Sequence, residues 1–492
     1  MNWPLLITLV LYFVILAAIG LRFCRKNETI EGYLLGSRGL GAWVTAFSTQ
    51  ASDMSGWLLM ALPGTVYLNG LPDAWIALGL IAGTYLNWRF VAARLRVYTE
   101  KTGTLTLPCF FESRFRDPTG LIRVLSAVLI LIFFTIYTSS GMVSAGKLLD
   151  SIFDGMGYTW AVFLGGGIVI AYTLLGGYLA VCWTDLFQGI LMVFAVVIIP
   201  VLAFRQVGGV EGIDRAMATK GLSTTLIPTG VPWPLLAVCS SMAWGLGYFG
   251  QPHILVRFMS VRSLQKLRQS RRIAMAWVVV SLAGAVVIGL IAIALFEQLP
   301  KGEEERVCIY MIRQVVGPWL QGVLFAAILA AIMSTIDSQL LVSASALSED
   351  LYRKVLHRTP TPGQVVWISR TSVMVISVIA VILALPKDSR ILKIVAYAWG
   401  GFGASLGPVV LFALFSRRTT WVSALAGMIT GAGVLWVWKA VGLGEQLYEI
   451  VPGFFANGLV IWVVNRVHGQ QDPQILRRHE EVVAMADRRA VS

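Results

Sequence analysis

Long apolar stretches separated by short polar loops run through most of the chain. A helix needs about 20 apolar residues to cross the hydrocarbon core of a bilayer. Stretches of about that length can be placed at residues 4–21, 40–68, 72–88, 124–146, 159–181, 186–204, 233–256, 273–296, 318–346, 366–385, 394–416, 420–438 and 449–465. The pattern predicts an all-α polytopic membrane protein with about 13 transmembrane helices.

Two of these segments contain residues that interrupt a helix. In the second segment Asp53 is followed by Ser55 and Gly56, and a carboxylate at the bilayer centre costs about 2.5–3.5 kcal/mol to insert. The seventh segment carries three glycines and a proline between Trp244 and Pro252. Irregular backbone is tolerated at this depth only where neighbours or a cavity satisfy it. Both interruptions therefore predict a site inside the membrane, with a kinked helix and a paired Asp53 as the structural alternative.

The two interrupted segments lie five segments apart, which indicates two halves of opposite topology. Interrupted helices at corresponding places of two halves are typical of transporters with an inverted repeat around a central site. The predicted division is one transmembrane domain at 1–466, with repeat halves at about 40–204 and 233–416, further helices at 4–21, 420–438 and 449–465, and a polar, loosely ordered cytoplasmic tail at 467–492. The loops 205–232 and 297–317 are each long enough for a short surface helix.

The distribution of basic residues predicts the orientation in the membrane. Charged residues make up 13% of the chain, against about 25% in soluble domains. Loops on the side of Arg22 hold 28 of the 39 Lys and Arg residues, which places the N-terminus outside and the C-terminus in the cytoplasm of a plasma (inner) membrane. The net charge of +13 follows from this asymmetry and needs no nucleic-acid partner. The basic run from Arg257 to Arg272 is interpreted as a cytoplasmic topology determinant and a candidate contact for lipid headgroups.

The sequence lacks the motifs of nucleotide-driven or enzymatic chemistry. Its five cysteines are scattered without a CxxC pair, and it contains neither an HExxH motif nor a GxxxxGK[ST] loop. No nucleophile–base pair stands out within the apolar segments. We therefore expect no enzymatic activity, no cofactor, and no metal other than a transported alkali cation.

Oxygen-bearing residues on two segments are candidates for holding that cation. An unwound stretch around Asp53 offers free carbonyls, hydroxyls and one carboxylate, the hard ligands that a small cation prefers. Ser334 and Thr335 on the ninth segment add two hydroxyls, although membrane hydroxyls often bond to their own preceding turn. Asp337 lies one turn further along, and Asp185 is predicted at a short cytoplasmic turn formed by 183–185. Both aspartates are candidates for an ion exit route or for a wet vestibule.

An aromatic wall for a small organic solute is predicted beside the second interruption. Trp244, Tyr248 and Pro252 recur at every fourth position, so they would share one face if the helix persisted. Such walls with a few polar tips suit small ligands, while a packing stripe is the alternative interpretation. Tyr137 on the fourth segment is a candidate to join the wall.

The chain resembles the sodium/solute symporter family, and in particular its proline-transporting members. The resemblance runs from about residue 4 to 465 and is carried by three stretches, Ala51–Met60, Trp244–Leu255 and Met333–Thr335. It implies a LeuT-like five-helix inverted repeat and sodium-coupled uptake of L-proline across the lipid bilayer.

The resemblance also implies roles for individual residues. Sodium would be held by the carbonyls of Ala51, Met54 and Ala331 and the hydroxyls of Ser334 and Thr335, with Asp53 and Ser55 needed for ion and solute affinity. Proline would lie against Tyr137, Trp244, Tyr248 and Pro252, with Ser55, Gly56 and Trp57 nearby. Arg38 and Asp185 match charged positions that matter for coupling. Asp337 departs from the small hydroxyl residue expected in proline-transporting members, which leaves the ion exit route open.

Two alternatives remain at this point. One is the same architecture with another solute, such as pantothenate, a different amino acid or a carboxylate. The other is a sensor built on a transporter core, although such a sensor normally carries a signalling domain that the short segment after residue 466 does not provide.

Overall fold

Helices account for nearly all of the regular structure. The computed structural model describes residues 3–24, 30–153, 155–174, 177–228, 230–355, 361–469 and 472–491. Within these ranges the β-structure is limited to one parallel bridge between Leu40 and Val261. Residues 470, 471 and 492 of the predicted tail lie outside the described residues.

The first part of the chain, up to residue 204, contains the helices that carry the first interruption. They are α1 (Trp3–Cys24), α2 (Ile30–Leu35), α3 (Ala42–Ala51), α4 (Leu62–Asn69), α5 (Ala74–Leu86), α6 (Ala92–Thr102), α7 (Leu107–Phe115), α8 (Leu121–Ile152), α9 (Tyr158–Thr173) and α10 (Tyr178–Phe204). A π-helical turn at Trp57–Ala61 connects the break after α3 to α4, and a second one at Asn87–Val91 joins α5 to α6.

The second part carries the second interruption and the tail. Its helices are α11 (Gly209–Thr219), α12 (Pro234–Met242), α13 (Pro252–Ser260), α14 (Leu264–Leu295), α15 (Val307–Val315), α16 (Pro318–Ser345), α17 (Arg353–Val355), α18 (Pro362–Ala384), α19 (Ile391–Phe415), α20 (Trp421–Ala440), α21 (Ile450–Val467) and α22 (Pro473–Val491). A 3₁₀ turn at Ala243–Gly250 separates α12 from α13, and a π-helical stretch at Ala346–Tyr352 follows α16.

The predicted all-α membrane architecture is confirmed. Ten helices among the described residues are long and apolar enough to cross a membrane. The remaining predicted segments correspond to the two interrupted helices and to α9, which has 16 residues. Apart from the fifth segment, whose described part falls on two helices, each predicted segment corresponds to one helix or one interrupted helix, whereas the total of 13 spans stays a prediction.

One predicted boundary is wrong. The fifth segment was expected to run to residue 181, with a turn at 183–185, but α9 ends at Thr173 and α10 already begins at Tyr178. The apolar residues 178–182 therefore form the first turns of α10, and Asp185 lies inside a helix rather than in a loop. A hydropathy pattern cannot locate this break, because the residues on both sides of it are equally apolar.

Burial separates a central layer of helices from a peripheral one. The most apolar windows of α16 and α19 are 78% and 83% buried, whereas that of α1 is 28% buried. α16 packs against α1, α8 and α10, and α3 packs against α10 and α14. The large apolar side chains on α1, α20 and α21 that remain exposed, such as Trp3, Trp436 and Phe455, form the surface expected to face lipid.

The 3₁₀ turn of the second interruption lies in close contact with α5. A Cβ atom on Gly245 would stand 2.3 Å from the carbonyl oxygen of Gly79, and one on Gly83 would stand 2.2 Å from the carbonyl oxygen of Gly245. Small residues permit such backbone contact between membrane helices. The glycines of both elements therefore fix the position of the aromatic residues next to them.

The two long loops each carry the predicted short helix. α11 lies in the loop 205–232 and α15 in the loop 297–317. α15 buries Val307, Cys308 and Met311 against the bundle, so it is packed into the protein rather than resting on its surface. Lys147 of α8 reaches the same region through an ion pair of 2.5 Å with Glu305.

The tail forms a docked helix, so the expected loose order is wrong. α22 buries Ile475, Val482 and Ala486, spaced seven and four residues apart along one face. Asp472 and Glu480 pair with arginines of the membrane domain, and Glu481 pairs with Lys101. His479 lies beside Arg114, and burial together with the neighbouring arginines lowers its pKa to about 4. The ring is therefore neutral near pH 7.

Replacing Gly245 by alanine should destabilise the protein, because the new methyl group would overlap the Gly79 carbonyl. Overpacking of this kind typically costs about 1–3 kcal/mol. We expect a lower thermal unfolding temperature for purified Gly245→Ala than for the parent protein. Gly433→Ala on α20 is the matched control, since a Cβ there has no atom within 4 Å. Equal stability of the two variants would contradict the close contact of the turn with α5.

Candidate functional site

The first interruption begins directly after Ala51, the last residue of α3. The next residues leave the helix: the amide of Asp53 donates to the carbonyl of Gln50, three residues back, at 3.2 Å, and that of Ser55 donates to the carbonyl of Asp53, two residues back, at 3.2 Å. Helical structure resumes at Trp57. Every residue from Ala51 to Trp57 is buried. Ser and Gly favour this irregular backbone because both have a low propensity for a helix interior. The Ser side chain hydrogen-bonds to nearby backbone groups instead, and Gly loses the most backbone entropy in a helix.

Two hydroxyls of α16 cross to this break. Ser334 donates to the carbonyl oxygen of Ala51 at 2.8 Å, and Thr335 donates to it at 3.3 Å. Both hydroxyls also lie 3.3 Å from the carbonyl oxygen of Ala331. Four of the five predicted sodium ligands are thus in direct contact. Met54 is buried in the same break, but no hydrogen bond among the described residues joins its carbonyl to the other four.

Asp53 lies at the centre of a second group of predicted residues. One of its carboxylate oxygens, Oδ2, accepts from the Tyr248 hydroxyl at 2.6 Å. Its backbone carbonyl accepts from the Tyr137 hydroxyl and from the Trp57 indole, both at 3.2 Å. The other carboxylate oxygen, Oδ1, is buried without a partner among the described residues. A buried carboxylate with an unpaired oxygen is costly in free energy unless that oxygen binds a cation, a proton or a polar solute.

The aromatic residues of the second interruption are arranged differently from the predicted wall. A 3₁₀ turn has three residues per turn, so Trp244 and Tyr248 point in different directions. Tyr248 packs edge-on against Trp399 at 5.0 Å between ring centroids, and Trp244 packs against Tyr448 at 5.5 Å. The Trp399 indole also donates to the carbonyl of Trp244 at 2.7 Å. Tyr248 therefore faces Asp53, while Trp244, which comes earlier in the turn, faces Tyr448.

Pro252 is not brought together with Asp53. It begins α13 after the extended residue Gln251 and lines a small separate cavity with Tyr178 and Val256. Gly56 and Ser55 remain within the break itself. A Cβ on Gly56 would stand 2.6 Å from the Ser144 hydroxyl of α8, so the break approaches α8 as closely as a glycine allows.

Asp185 forms a buried ion pair that the sequence pattern did not reveal. Its Oδ2 lies 3.1 Å from Nη2 of Arg257 and accepts from the Ser48 hydroxyl at 2.6 Å. Arg257 also donates to Ser48 at 2.8 Å and to Ser338 at 2.5 Å. Through these bonds Arg257 joins α13 to α3, α10 and α16. Asp185 thus lies in the packed interior of this structure and not at a loop.

Arg257 was expected in a cytoplasmic loop, and this assignment is wrong. Its side chain is 1% exposed, because α13 continues to Ser260 and carries the guanidinium into the bundle. The sequence held one usable signal. Arg257 follows an apolar run directly after Pro252, and a buried acid such as Asp185 requires a cation.

Asp337 and Arg38 lie away from the Asp53 group. Asp337 is buried, accepts a hydrogen bond from the hydroxyl of Thr173, and has its Oδ2 without a partner among the described residues. Arg38 donates to the carbonyls of Met259 at 3.0 Å and Thr104 at 2.9 Å. It therefore ties the loop before α3 to the ends of α13 and α6. That Asp337 or Arg38 contributes to an ion path or to coupling stays a prediction.

Comparison with known proteins decides the family. The model of the "Sodium:solute symporter family" matches residues 33–431. The chain belongs to the sodium:solute symporter family. The resemblance stated from the three sequence stretches is thereby confirmed, and all three stretches lie within the matched region.

Curated relatives cover almost the whole chain. A protein of Salmonella typhimurium named "Sodium/proline symporter" is 45% identical over 93% of this chain and 92% of its own length. The "Sodium/proline symporter" of Escherichia coli K12 is 44% identical over 98% and 96%. The "High-affinity proline transporter PutP" of Bacillus subtilis is 46% identical over 91% and 94%.

Solved structures confirm the fold. A Na⁺-coupled sialic acid symporter in a substrate-bound outward-open state superposes with a TM-score of 0.79, at 18% identity, over 95% of this chain and 99% of its own. Mhp1, a nucleobase-cation-symport-1 family transporter, superposes with a TM-score of 0.53, at 14% identity, over 91% and 98%. The chain therefore has the LeuT-like fold of these symporters. The residue limits of the two repeat halves stay a prediction.

Removing one partner of the buried ion pair should cost more than removing both. A buried charge left without its partner typically costs about 3–5 kcal/mol. We expect Arg257→Gln and Asp185→Asn each to lower the thermal unfolding temperature, and the double variant to recover part of the loss. The exposed pair Arg417–Glu480 is the matched control, since exposed pairs contribute at most about 1 kcal/mol. Strictly additive losses in the Arg257 and Asp185 variants would rule out the pair.

Proposed function

We propose that this protein is a sodium-coupled symporter that imports L-proline by alternating access. The observation that carries the proposal is the junction of the first interruption with α16, where Ser334 and Thr335 bond to the Ala51 carbonyl beside the half-paired Asp53. Curated relatives at 44–46% identity over nearly the full length are named as proline transporters, which supports proline as the solute.

The proposed sodium site uses oxygen atoms that now bond to each other. The hydroxyls of Ser334 and Thr335 donate to carbonyls, and rotation about their C–O bonds would turn the oxygen lone pairs toward an ion. Sodium would then be held by these hydroxyls and by the carbonyls of Ala51, Ala331 and Met54. Hard, neutral and anionic oxygens are the ligand class suited to such a cation. Asp53 lies two residues beyond Ala51 and supplies negative charge next to the site.

The proposed solute site is the adjoining group around Asp53. Proline is zwitterionic, so its carboxylate would face the positive end of a half-helix, where amides are free to donate. Its ring would lie against Tyr248 and Tyr137, which both bond to Asp53, and not against Trp244, which packs on Tyr448. The secondary amine would be drawn to Asp53 Oδ1, the acceptor that has no partner among the described residues.

Coupling follows from the shared break. Sodium bound between Ala51 and α16 would order the backbone that also carries Asp53, Ser55 and Gly56. By linkage, sodium then raises the affinity for proline, and proline raises the affinity for sodium by the same factor. The membrane voltage adds about 2.3 kcal/mol per charge per 100 mV to the driving force.

Asp185, Asp337 and Arg38 are assigned to the conformational cycle rather than to ligand binding. Arg257 and Asp185 connect α13 to three neighbouring helices, so opening of the cytoplasmic side must move or break these bonds. Arg38 connects α13 to α6 in the same way. Asp337 lies on α16 one turn from Ser334, where it would meet an ion leaving toward the cytoplasm.

The remaining assignments concern the cell rather than the site. We place the protein in the plasma (inner) membrane, with the N-terminus outside and the C-terminus in the cytoplasm, because basic residues are concentrated on one side. It would act as a transporter and not as an enzyme, with sodium as coupling ion and no other cofactor. Another small solute handled by the same architecture is the second candidate, since residues around Asp53 set solute choice.

Uptake of radiolabelled L-proline into proteoliposomes that contain only this protein tests the function. An inward sodium gradient should drive accumulation above equilibrium, and an equal potassium gradient should not. Competition by unlabelled solutes then shows which other solutes the protein accepts. Sodium-driven uptake of a different solute without proline uptake would discard the substrate, and no sodium-driven uptake of any solute would discard symport.

Loss of either hydroxyl should weaken the dependence on sodium specifically. We expect Ser334→Ala and Thr335→Ala each to raise the sodium concentration for half-maximal proline uptake about tenfold or more, equivalent to at least about 1.4 kcal/mol. Ser343→Ala on the same helix is the matched control, because the buried Ser343 hydroxyl has no partner among the described residues. An unchanged sodium dependence in both test variants would contradict the site.

A further inference from the structure

The tail helix α22 is attached to the membrane domain by an apolar face and by ion pairs. Ile475, Val482 and Ala486 form this face and are at most 3% exposed, and α22 packs against α6. Asp472, directly before the helix, pairs with Arg116, directly after α7, at 2.6 Å. None of these residues belongs to the candidate site. The tail therefore reaches two membrane helices, α6 and α7, at once.

α6 belongs to one unit with the second interrupted helix. It continues from α5 through the π-helical turn at Asn87–Val91, and α5 lies in backbone contact with the 3₁₀ turn at Gly245. α6 also packs against α13, and Nε of Arg96 donates to the carbonyl of Val261, directly after α13, at 2.7 Å. A movement of α13 must therefore carry α5 and α6 with it.

α7 belongs to a different unit, because it packs against α8, which in turn packs against α16. Arg114 of α7 donates to the carbonyls of Ala413 and Ser416, both at 2.8 Å, and so fixes the end of α19 to the same unit. Its guanidinium also lies 3.4 Å from Nδ1 of the buried His479 of α22. Opening of the cytoplasmic side must break the bond of Arg257 in α13 to α16, so it moves the unit of α6 relative to the unit of α7.

The tail bridges these two units through adjacent residues of one helix. Glu481 pairs with Lys101 of α6, whereas Glu480 lies 3.6 Å from Arg417, in the loop after α19. Because a helix is stiff over this distance, the two units cannot separate at the cytoplasmic side unless one of these pairs breaks or α22 lifts from the surface.

We propose that α22 is a strap that restrains opening of the cytoplasmic side by holding the unit of α5, α6 and α13 to the unit of α7, α8, α16 and the end of α19. The proposal rests on the alternating access proposed above, since that movement separates the two units. Exposed ion pairs contribute little individually and are screened by salt. The strap therefore limits opening without locking the protein, and a change that lifts α22 favours the open form.

Hydrogen–deuterium exchange of the purified full-length protein measures this opening, because α13 is buried when the cytoplasmic side is closed. The measurement is made in potassium without sodium or solute, so that the coupling ion does not contribute. Val482→Asp places a carboxylate in the buried apolar face and should lift α22 from the protein. We expect faster exchange both in α22 and in peptides that cover α13. Ala484→Asp is the matched control, because Ala484 is exposed on the same helix.

Charge reversal tests the pair to α6 without disturbing the apolar face. Glu481→Lys places two basic side chains next to each other, and we expect it to speed the exchange of α13 about twofold to fivefold, the effect of one exposed ion pair. Lys101→Glu/Glu481→Lys restores opposite charges and should return the exchange of α13 to the parent rate. A double variant that exchanges as fast as Glu481→Lys alone would contradict the bridge to α6.

Unchanged exchange of α13 in Val482→Asp, with α22 itself exchanging faster, would overturn the proposal and show a tail that only stabilises the folded protein. If Val482→Asp folds poorly or keeps α22 docked, the charge variants decide in the same way. These measurements need no transported solute. A failure of proline uptake would therefore leave the strap in place, and a failure of the strap would leave sodium-coupled transport in place.

Discussion

The structure depends on how an interrupted helix satisfies its backbone inside a membrane. Where α3 ends at Ala51, the carbonyl has no helical partner, and no bulk water is present to supply one. The hydroxyls of Ser334 and Thr335 provide the bonds, so α16 and the break are held together by the side chains that we propose as ion ligands. In the proposed site, a structural requirement and ion binding are met by the same atoms, so an ion that replaced these bonds would act directly on the geometry of the break.

The buried charges divide into two kinds by their partners. Asp185 has a counter-ion in Arg257, supported by Ser48 and Ser338, and this network fastens α13, the second half of the second interrupted helix. Asp53 has no ion pair among the described residues; its Oδ2 accepts from Tyr248, and its Oδ1, like Oδ1 of Asp185, is buried without a partner there. A carboxylate with a counter-ion holds helices in place, whereas one without a counter-ion has remaining capacity for a cation or solute. The proposed cycle uses both kinds, with binding at Asp53 and movement around Arg257.

The sequence predicted the architecture well because membrane helices are constrained by length and composition. The two interruptions were recognisable from Asp53 and from the glycines near Trp244, since both are costly in an uninterrupted helix. The error at Asp185 arose because the break before Tyr178 lies between equally apolar residues. The burial of Arg257 was missed because its partner Asp185 is distant in the sequence. The directions of the Trp244 and Tyr248 side chains depend on a 3₁₀ turn, which the spacing of the residues does not reveal. The spacing of Ile475, Val482 and Ala486 indicates that α22 has one apolar face. Where this face docks could not be predicted, because the charged partners of the helix are brought together only by the fold.

The most direct test of the central claim is backbone hydrogen–deuterium exchange of the purified protein in sodium and in potassium at equal ionic strength. If sodium ties the break to α16, amides in peptides covering 50–58 should exchange more slowly in sodium, while peptides from α22 should be unaffected. Thr335→Ala should remove most of this difference. Identical exchange of residues 50–58 in the two salts would contradict the claim that the ion acts by ordering the interrupted helix.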